Sequence, residues 1–298
     1  MAREYRKFRG AVLTVSSCVL FAVAGCIVKQ CSYMGAGRVA FFRFAIGLGI
    51  IAAGAIFGVF RLRFNDGKLL FLRGLIGGAA VYIGFIAIGK LGLGKGVVLI
   101  YSYPVFAGVF GAIFLKERLR LVNFVSIALA FGGIYLLSSD NGGGEFLVFG
   151  RYELLTVFGA MLSAIAVTLI RKLHDTDESV SIFFSQCAIG MWVALLPMSG
   201  SGGAIGTVGL LMLVAIGVFS TGGQLLMTEG FRYLPVRTGS LFCMLDPVLA
   251  FVAGVVIFGE PLVLRSVVGA GLVVGACVVV LAGREDAAEG VEIAEAGL

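Results

Sequence analysis

Charge is scarce in this sequence. Only 13% of its 298 residues are Asp, Glu, Lys or Arg, about half the roughly 25% of an average soluble domain. With 59% apolar residues and a mean hydropathy of +1.06, a single water-soluble core able to bury the chain is excluded. Histidine occurs once, at His174, and none of the six cysteines forms CxxC. Metal sites and disulfide frameworks need such clusters, so no metal and no cofactor is expected. Catalysis at a membrane edge by grouped His, Asp, Glu or Cys also lacks its material, which argues against an enzyme. LGLGKG at 91–96 lacks the Ser or Thr that completes a phosphate loop. The formal charge of +6 is spread over short connections rather than gathered in a basic domain, which leaves nothing for nucleic acid to bind.

What the chain has instead is apolar runs of membrane-crossing length, where ~20 residues span the hydrocarbon core. Ten are read, at about 10–29, 39–60, 69–89, 96–115, 121–138, 152–170, 179–198, 207–228, 238–258 and 264–282. With the N-terminus inside, sixteen Lys and Arg fall in inner segments and six in outer ones. Cytoplasmic loops carry the excess of Lys and Arg. Both termini are therefore expected in the cytoplasm, with the chain multi-pass in a cell inner (plasma) membrane. Residues 1–9 form a basic N-terminus and 284–298 an acidic cytoplasmic tail.

One stretch is written twice. PVFAGVFGAIFLKE at 104–117 returns as PVLAFVAGVVIFGE at 247–260, an offset of 143. The same offset aligns Gly111 with Gly254 and Gly132 with Gly275, and lays the first five spans over the last five. Five is odd, so the second copy enters the membrane from the opposite side, an arrangement shared by many secondary transporters. The expected fold class is an all-α polytopic membrane protein with ten transmembrane helices, as two inverted-topology five-helix repeats. The repeats are 10–140 and 141–283.

The in-register proline and glutamate motifs, the glycine in FGGIYLL and VGACVVVL, and the arginine in FFRF resemble the EamA-type drug/metabolite transporter superfamily over essentially the whole chain. That resemblance implies a carrier whose central cavity is lined mainly by the first four helices of each half. The fifth helices would pack outside or support a homodimer. Within the family the chain is most similar to small-metabolite exporters, including those for aromatic amino acids. Arg43, the FFRF arginine, aligns with Gln186 in the second half, so this part of the pattern is unsymmetrical.

Pro104 and Pro247 each remove a backbone hydrogen bond within a span. The carbonyls so freed must face protein or a watery cavity, which makes the prolines either hinges or packing kinks. Beside them stand Tyr101, Ser102 and Tyr103 in one half, Met244 and Asp246 in the other. A mid-membrane carboxylate costs ~3 kcal/mol or more on insertion scales. Asp246 is therefore expected to face substrate, a proton or a partner, or to cap the broken backbone. Tyr103 is its partner at the offset. Tyr82, with Tyr101 and Tyr103, offers an aromatic face and a hydroxyl, to substrate or to helix packing. Gln186, Gln224 and Thr228 could bond a ligand or another helix, and Arg43 could point inward or snorkel. Trp192 reads as an interfacial belt residue and His174 as a solvated loop residue. Glu117 and Glu260 each precede a helix, where the positive N-terminal end favours an acid. Gly54-xxx-Gly58, Gly74-xxx-Gly78 and Gly271-xxx-Gly275 have close-packing spacing.

The function expected is a secondary transporter in the lipid bilayer. It would export a small zwitterionic or neutral metabolite, an amino acid foremost, by alternating access. The alternatives are a carrier for nucleotide sugars, sugar phosphates or cationic drugs, or a membrane-embedded enzyme or structural subunit.

Overall fold

A computed structural model describes residues 2–116, 121–138, 150–199, 205–259 and 263–282. Glu117, Glu260 and the acidic tail lie outside the described residues. The elements are α1 (Ala2–Gln30), a 3-10 turn (Ser32–Met34), α2 (Ala36–Ile56), α3 (Gly67–Ile100), α4 (Tyr103–Leu115), α5 (Leu121–Ser138) and α6 (Arg151–Leu173). They continue with α7 (Ser179–Ser199), α8 (Thr207–Tyr233), α9 (Val236–Cys243), α10 (Leu245–Phe258) and α11 (Leu264–Ala282). Among the described residues every regular element is a helix, as lipid demands of a chain that must satisfy its own backbone. Among the described residues seven spans are long and apolar enough to cross a membrane, and three further apolar helices are shorter.

Three places depart from the sequence reading. A connection was expected between spans at 90–95, yet α3 carries helical hydrogen bonding through it. The helix nevertheless doubles back. A Cβ on Gly96 would lie 3.0 Å from the Ala87 carbonyl oxygen, whereas nine residues of straight helix extend about 13.5 Å. The spans expected at 96–115 and 238–258 are each broken, the first at Tyr101–Ser102 and the second at Met244. These breaks are themselves 143 residues apart.

The halves interleave. α1 packs on α8, and α6 packs on α3; α2 lies on α7 and α8, and α7 lies on α2 and α3; α5 pairs with α11. Exchanging the two halves turns α1–α8 into α6–α3 and α2–α8 into α7–α3, and returns α2–α7 and α5–α11 to themselves. The equivalent helices α2 and α7 run antiparallel: Gly47 of α2 meets Phe183 and Cys187 of α7, whereas Phe44 meets Gly190. The main packing of each half is therefore against the other half.

Small residues set the closest approaches. A Cβ on Gly78 would lie 2.6 Å from the Cα of Gly190, so α3 and α7 touch backbone to backbone. Gly74 likewise abuts the Ser185 carbonyl, and the Gly74-xxx-Gly78 reading holds. The other two motifs do different work. Gly54 accommodates the Phe60 ring and Gly58 takes φ +75, so this pair turns the chain at the end of α2. Gly271 and Gly275 touch no neighbour and line an apolar groove of about 410 Å³ between α5 and α11. Trp192 stands on the outside of the bundle, 67% exposed.

Candidate functional site

The site begins at the two breaks. Proline cannot donate a backbone hydrogen bond, and its ring obstructs the carbonyl a turn earlier, but the first turn of a helix needs neither. Pro104 is the second residue of α4 and Pro247 the third of α10. The chain thus stops and restarts ahead of each proline instead of kinking around it, which corrects the expectation of bent helices. Local bonds close each gap: Ser102 N to Leu99 O at 3.3 Å, Ser102 Oγ to Leu99 O at 2.7 Å, and Met244 N to Leu241 O at 3.0 Å. Ser102 spends its hydroxyl on its own backbone. Met244 is fully buried among Val98, Leu241 and Val248.

Restarting the helix places Asp246 in the first turn of α10, where the positive end of the helix favours a carboxylate. Its Oδ2 accepts the hydroxyl of Tyr101, which stands in the other break. The two breaks thus meet through a phenol and an acid. Sequence symmetry had set Tyr103 opposite Asp246. Instead Tyr103 is buried beside Cys243, with its ring 6.2 Å from that of Tyr101 and tilted by 52°.

Two guanidinium groups lie behind this pair. Arg43 donates from Nη2 to Gln224 Oε1 at 3.3 Å, and its Cζ lies 5.6 Å from the Phe21 ring centroid. It is also an electrostatic neighbour of Asp246 and Tyr101, so it turns inward and does not snorkel. Arg73 donates from Nη2 to Gln186 Oε1 at 3.0 Å, and Gln186 Nε2 donates to Gly77 O at 3.4 Å. The α2–α8 contact therefore carries Arg43–Gln224, and the α7–α3 contact that mirrors it carries Gln186–Arg73. The missing counterpart of Arg43 is supplied from across the interface, with the roles of the two residue types exchanged.

Arg73 was missed from sequence because it stands near the basic end of a span, where an arginine ordinarily reaches the headgroups. It is 2% exposed. The legible signal was Gly77, one turn on: a Cβ there would overlap the Arg73 guanidinium.

Comparison with known proteins now decides the lineage. The sequence profile of the EamA-like transporter family matches residues 8–139 and 150–282, one copy in each half. The chain belongs to the EamA-like transporter family. An uncharacterized transporter of Archaeoglobus fulgidus is 28% identical over 246 residues, covering 79% of this chain and 84% of that one. Solute carrier family 35 member G1 of Mus musculus is 27% identical, with 84% and 72% covered. The pseudopaline exporter CntI of Pseudomonas aeruginosa strain UCBPP-PA14 is 27% identical, with 75% and 78% covered. One solved crystal structure superposes with a TM-score of 0.71 at 19% identity, covering 94% of this chain and 96% of that one. That likeness is one of fold.

As an EamA-family member the chain is a membrane transporter and not an enzyme, and a small-molecule substrate and a bilayer come with the family. Its remaining candidate residues are scattered. Tyr82 packs at the edge of the Phe44–Phe183 cluster. Thr228 is buried elsewhere on α8, where its carbonyl accepts from His174 Nε2 at 2.8 Å. His174 is half-buried, contrary to the solvated position expected of it. Asp246, Tyr101, Arg43 and Gln224 are brought together, with Gln186 reached through Arg73; Ser102, Met244, Tyr82 and Thr228 are not.

Proposed function

We propose that this transporter exports a small zwitterionic metabolite, an amino acid, by alternating access, with the substrate ammonium held at Asp246. The observation that carries the reading is the Tyr101–Asp246 pair joining two helix breaks inside the bundle. A carboxylate there offers charge to an ammonium. The Tyr101 and Tyr103 rings add faces that attract cations.

The transport cycle follows from the architecture. Antiparallel equivalent helices and exchange-symmetric packing support ten spans in two inverted repeats, with Pro104 and Pro247 at the hinges. Rocking one repeat against the other would open the site to alternate sides. The basic inner segments support an inner-membrane protein with both termini cytoplasmic, and a relative named as an exporter supports the outward direction.

Reconstitution into liposomes with a panel of amino acids and matched amines tests this. Saturable flux of an amine-bearing solute is expected. Asp246→Asn, which keeps the shape and removes the charge, should weaken it ten- to a hundredfold, from the ~1.5–3 kcal/mol of a charge-assisted contact. Tyr101→Phe should cost less, since it removes a hydroxyl that orients Asp246 and leaves the carboxylate in place. Wild-type handling of amines by Asp246→Asn would make Asp246 a structural cap. Binding that survives while uphill flux is lost would make it a proton-coupling group.

A further inference from the structure

The corner between α6 and α7, residues 174–178, is fastened to α3 on one side and meets α8 on the other. The Asp177 carboxylate accepts the backbone N–H groups of Asn65 at 2.8 Å and Asp66 at 3.2 Å, and Ser181 Oγ accepts that of Arg63 at 3.0 Å. These bonds tie the corner to the start of α3, on which α6 and α7 also pack. α8 packs instead on α1 and α2. Polar contacts join its end to the corner: His174 Nε2 to the Thr228 carbonyl at 2.8 Å, Ser179 Oγ to Glu229 Oε2, and Arg171 Nη1 to the Arg232 carbonyl at 3.5 Å. They lie over an apolar layer that includes Ile170, Leu173 and Phe231. Thr228 stands one helical turn, about 6 Å, along α8 from Gln224, which holds Arg43. The seam therefore closes over the candidate site from the face that carries Arg63 and Arg171.

The opposite face is built differently. The offset of 143 carries His174 onto Cys31, Thr228 onto Phe85, Ser179 onto Ala36 and Glu229 onto Ile86. Cys31 and Phe85 belong to one apolar cluster with Met34, Leu213 and Ile216. One seam is thus apolar, and the other contains an imidazole. A carbonyl can only accept, so His174 Nε2 carries the hydrogen. The neutral ring then leaves Nδ1 bare, and Nδ1 is buried without a hydrogen-bond partner among the described residues. A proton arriving there would create a buried charge and a buried donor with nothing to receive it. Burial accordingly holds the ring below its ordinary value; the Thr228 carbonyl and Glu229 raise it by less, and Arg232 and Arg171 lower it. Glu229 already accepts from Ser179 and from the Tyr233 hydroxyl at 2.9 Å and lies 3.7 Å from Arg232, while Arg6 and Arg9 of α1 stand over the Tyr233 ring. Within the corner, Asp177 faces the α3 side, Asp175 pairs with Lys172, and Glu178 is exposed.

We propose that His174 is a proton-sensitive latch: neutral, it holds the end of α8 against the α6–α7 corner and shuts the face that carries Arg63 and Arg171; protonated, it releases α8 and opens that face. The inference rests on the alternating access of the preceding section and refines which parts move. α8 with α1 departs from α6 and α7 with α3, so each moving body draws on both repeats. Water reaches the ring once the seam opens, which returns it to its ordinary value near 6.5. The proton therefore binds the open state more tightly, and falling pH shifts the balance toward that state. Cys31 and Phe85 give the opposite seam no group that titrates between pH 5 and 8, so acid acts on one side alone.

The test measures the distance across the seam in the full chain, held in lipid nanodiscs, by electron–electron double resonance. Spin labels go on Phe8→Cys of α1 and Glu178→Cys of the corner, both exposed positions, in a Cys26→Ser background whose other cysteines are buried. Between pH 7.5 and 5.5 the longer-distance component should grow against the shorter by up to about tenfold, the most that a group with an open-state value near 6.5 supplies over that range. His174→Gln keeps a donor for the Thr228 carbonyl and takes no proton, so it should hold the shorter distance at both pH values. His174→Asn serves the same purpose if His174→Gln fails to fold. A wild-type distance that ignores pH, or a pH response that persists in the variant, would overturn the latch and leave alternating access standing. An intact response in a chain that gives no saturable amino-acid flux in liposomes would remove the proposed transport and leave the latch.

Discussion

Replacing Gly78 by alanine adds one carbon where the backbones of α3 and α7 touch. That carbon would lie 2.6 Å from the Gly190 Cα, against the ~3.5–4.0 Å of an ordinary carbon contact. Backbone, not a movable side chain, stands in the way, so the helices must part by about 1 Å. Overpacking of this kind costs ~1–3 kcal/mol, set against a gain of ~1 kcal/mol from replacing a mid-helix glycine. Gly271→Ala supplies the reference, since nothing lies within 4 Å of that position. The helix gain is common to both variants and cancels. Gly78→Ala should therefore be less stable than Gly271→Ala by ~1–3 kcal/mol. The same separation would stretch the 3.0 Å Arg73–Gln186 bond toward about 4 Å, beyond hydrogen-bonding range, and impair flux as well. Paired thermal unfolding in detergent and liposome uptake read the two effects. Equal stability of the two variants would refute the backbone contact and the α3–α7 packing drawn from it.

Two further outcomes are expected. Burial holds the His174 imidazole below its ordinary value near 6.5, against smaller raising effects of the Thr228 carbonyl and Glu229. The unfolded chain therefore takes the proton first as pH falls. Stability contributed by neutral His174 is complete above about 6.5 and is lost as pH drops toward the lowered folded value; His174→Asn should flatten that slope, and an unchanged slope would assign it to other groups. Reporter fusions after Arg63 should appear inside and fusions after Gly202 outside, and an outside Arg63 would overturn the orientation drawn from basic residues.

Sequence made the apolar spans and the doubling at offset 143 legible because both are carried by residue type and spacing alone. It also pointed at the prolines, yet not at what they do: whether proline bends a helix or starts a new one depends on where the preceding hydrogen bonds end. That shift of phase decides the pairing of Asp246 with Tyr101 rather than Tyr103. Gly54-xxx-Gly58 and Gly74-xxx-Gly78 are indistinguishable as patterns; the first turns the chain and the second seats a helix, according to what stands opposite. Arg73 escaped for a related reason. Hydropathy reads an arginine near a span end as a headgroup anchor, and only the fold turns it inward beside Gln186.

The interleaving of the halves imposes an order of events during synthesis. The face of α1 that carries Gly10, Thr14 and Ser17 closes on Gly223, Gly230 and Leu234, in and just after α8 of the second half. At ~5–20 residues per second, α1 waits on the order of ten to forty seconds for α8 to leave the ribosome. Through that interval its buried polar groups face lipid or a temporary companion. An insertion machinery that shelters early helices would matter more for this chain than for one whose neighbours in sequence are neighbours in space. Separately expressed halves should be short-lived alone and rescue each other when made together.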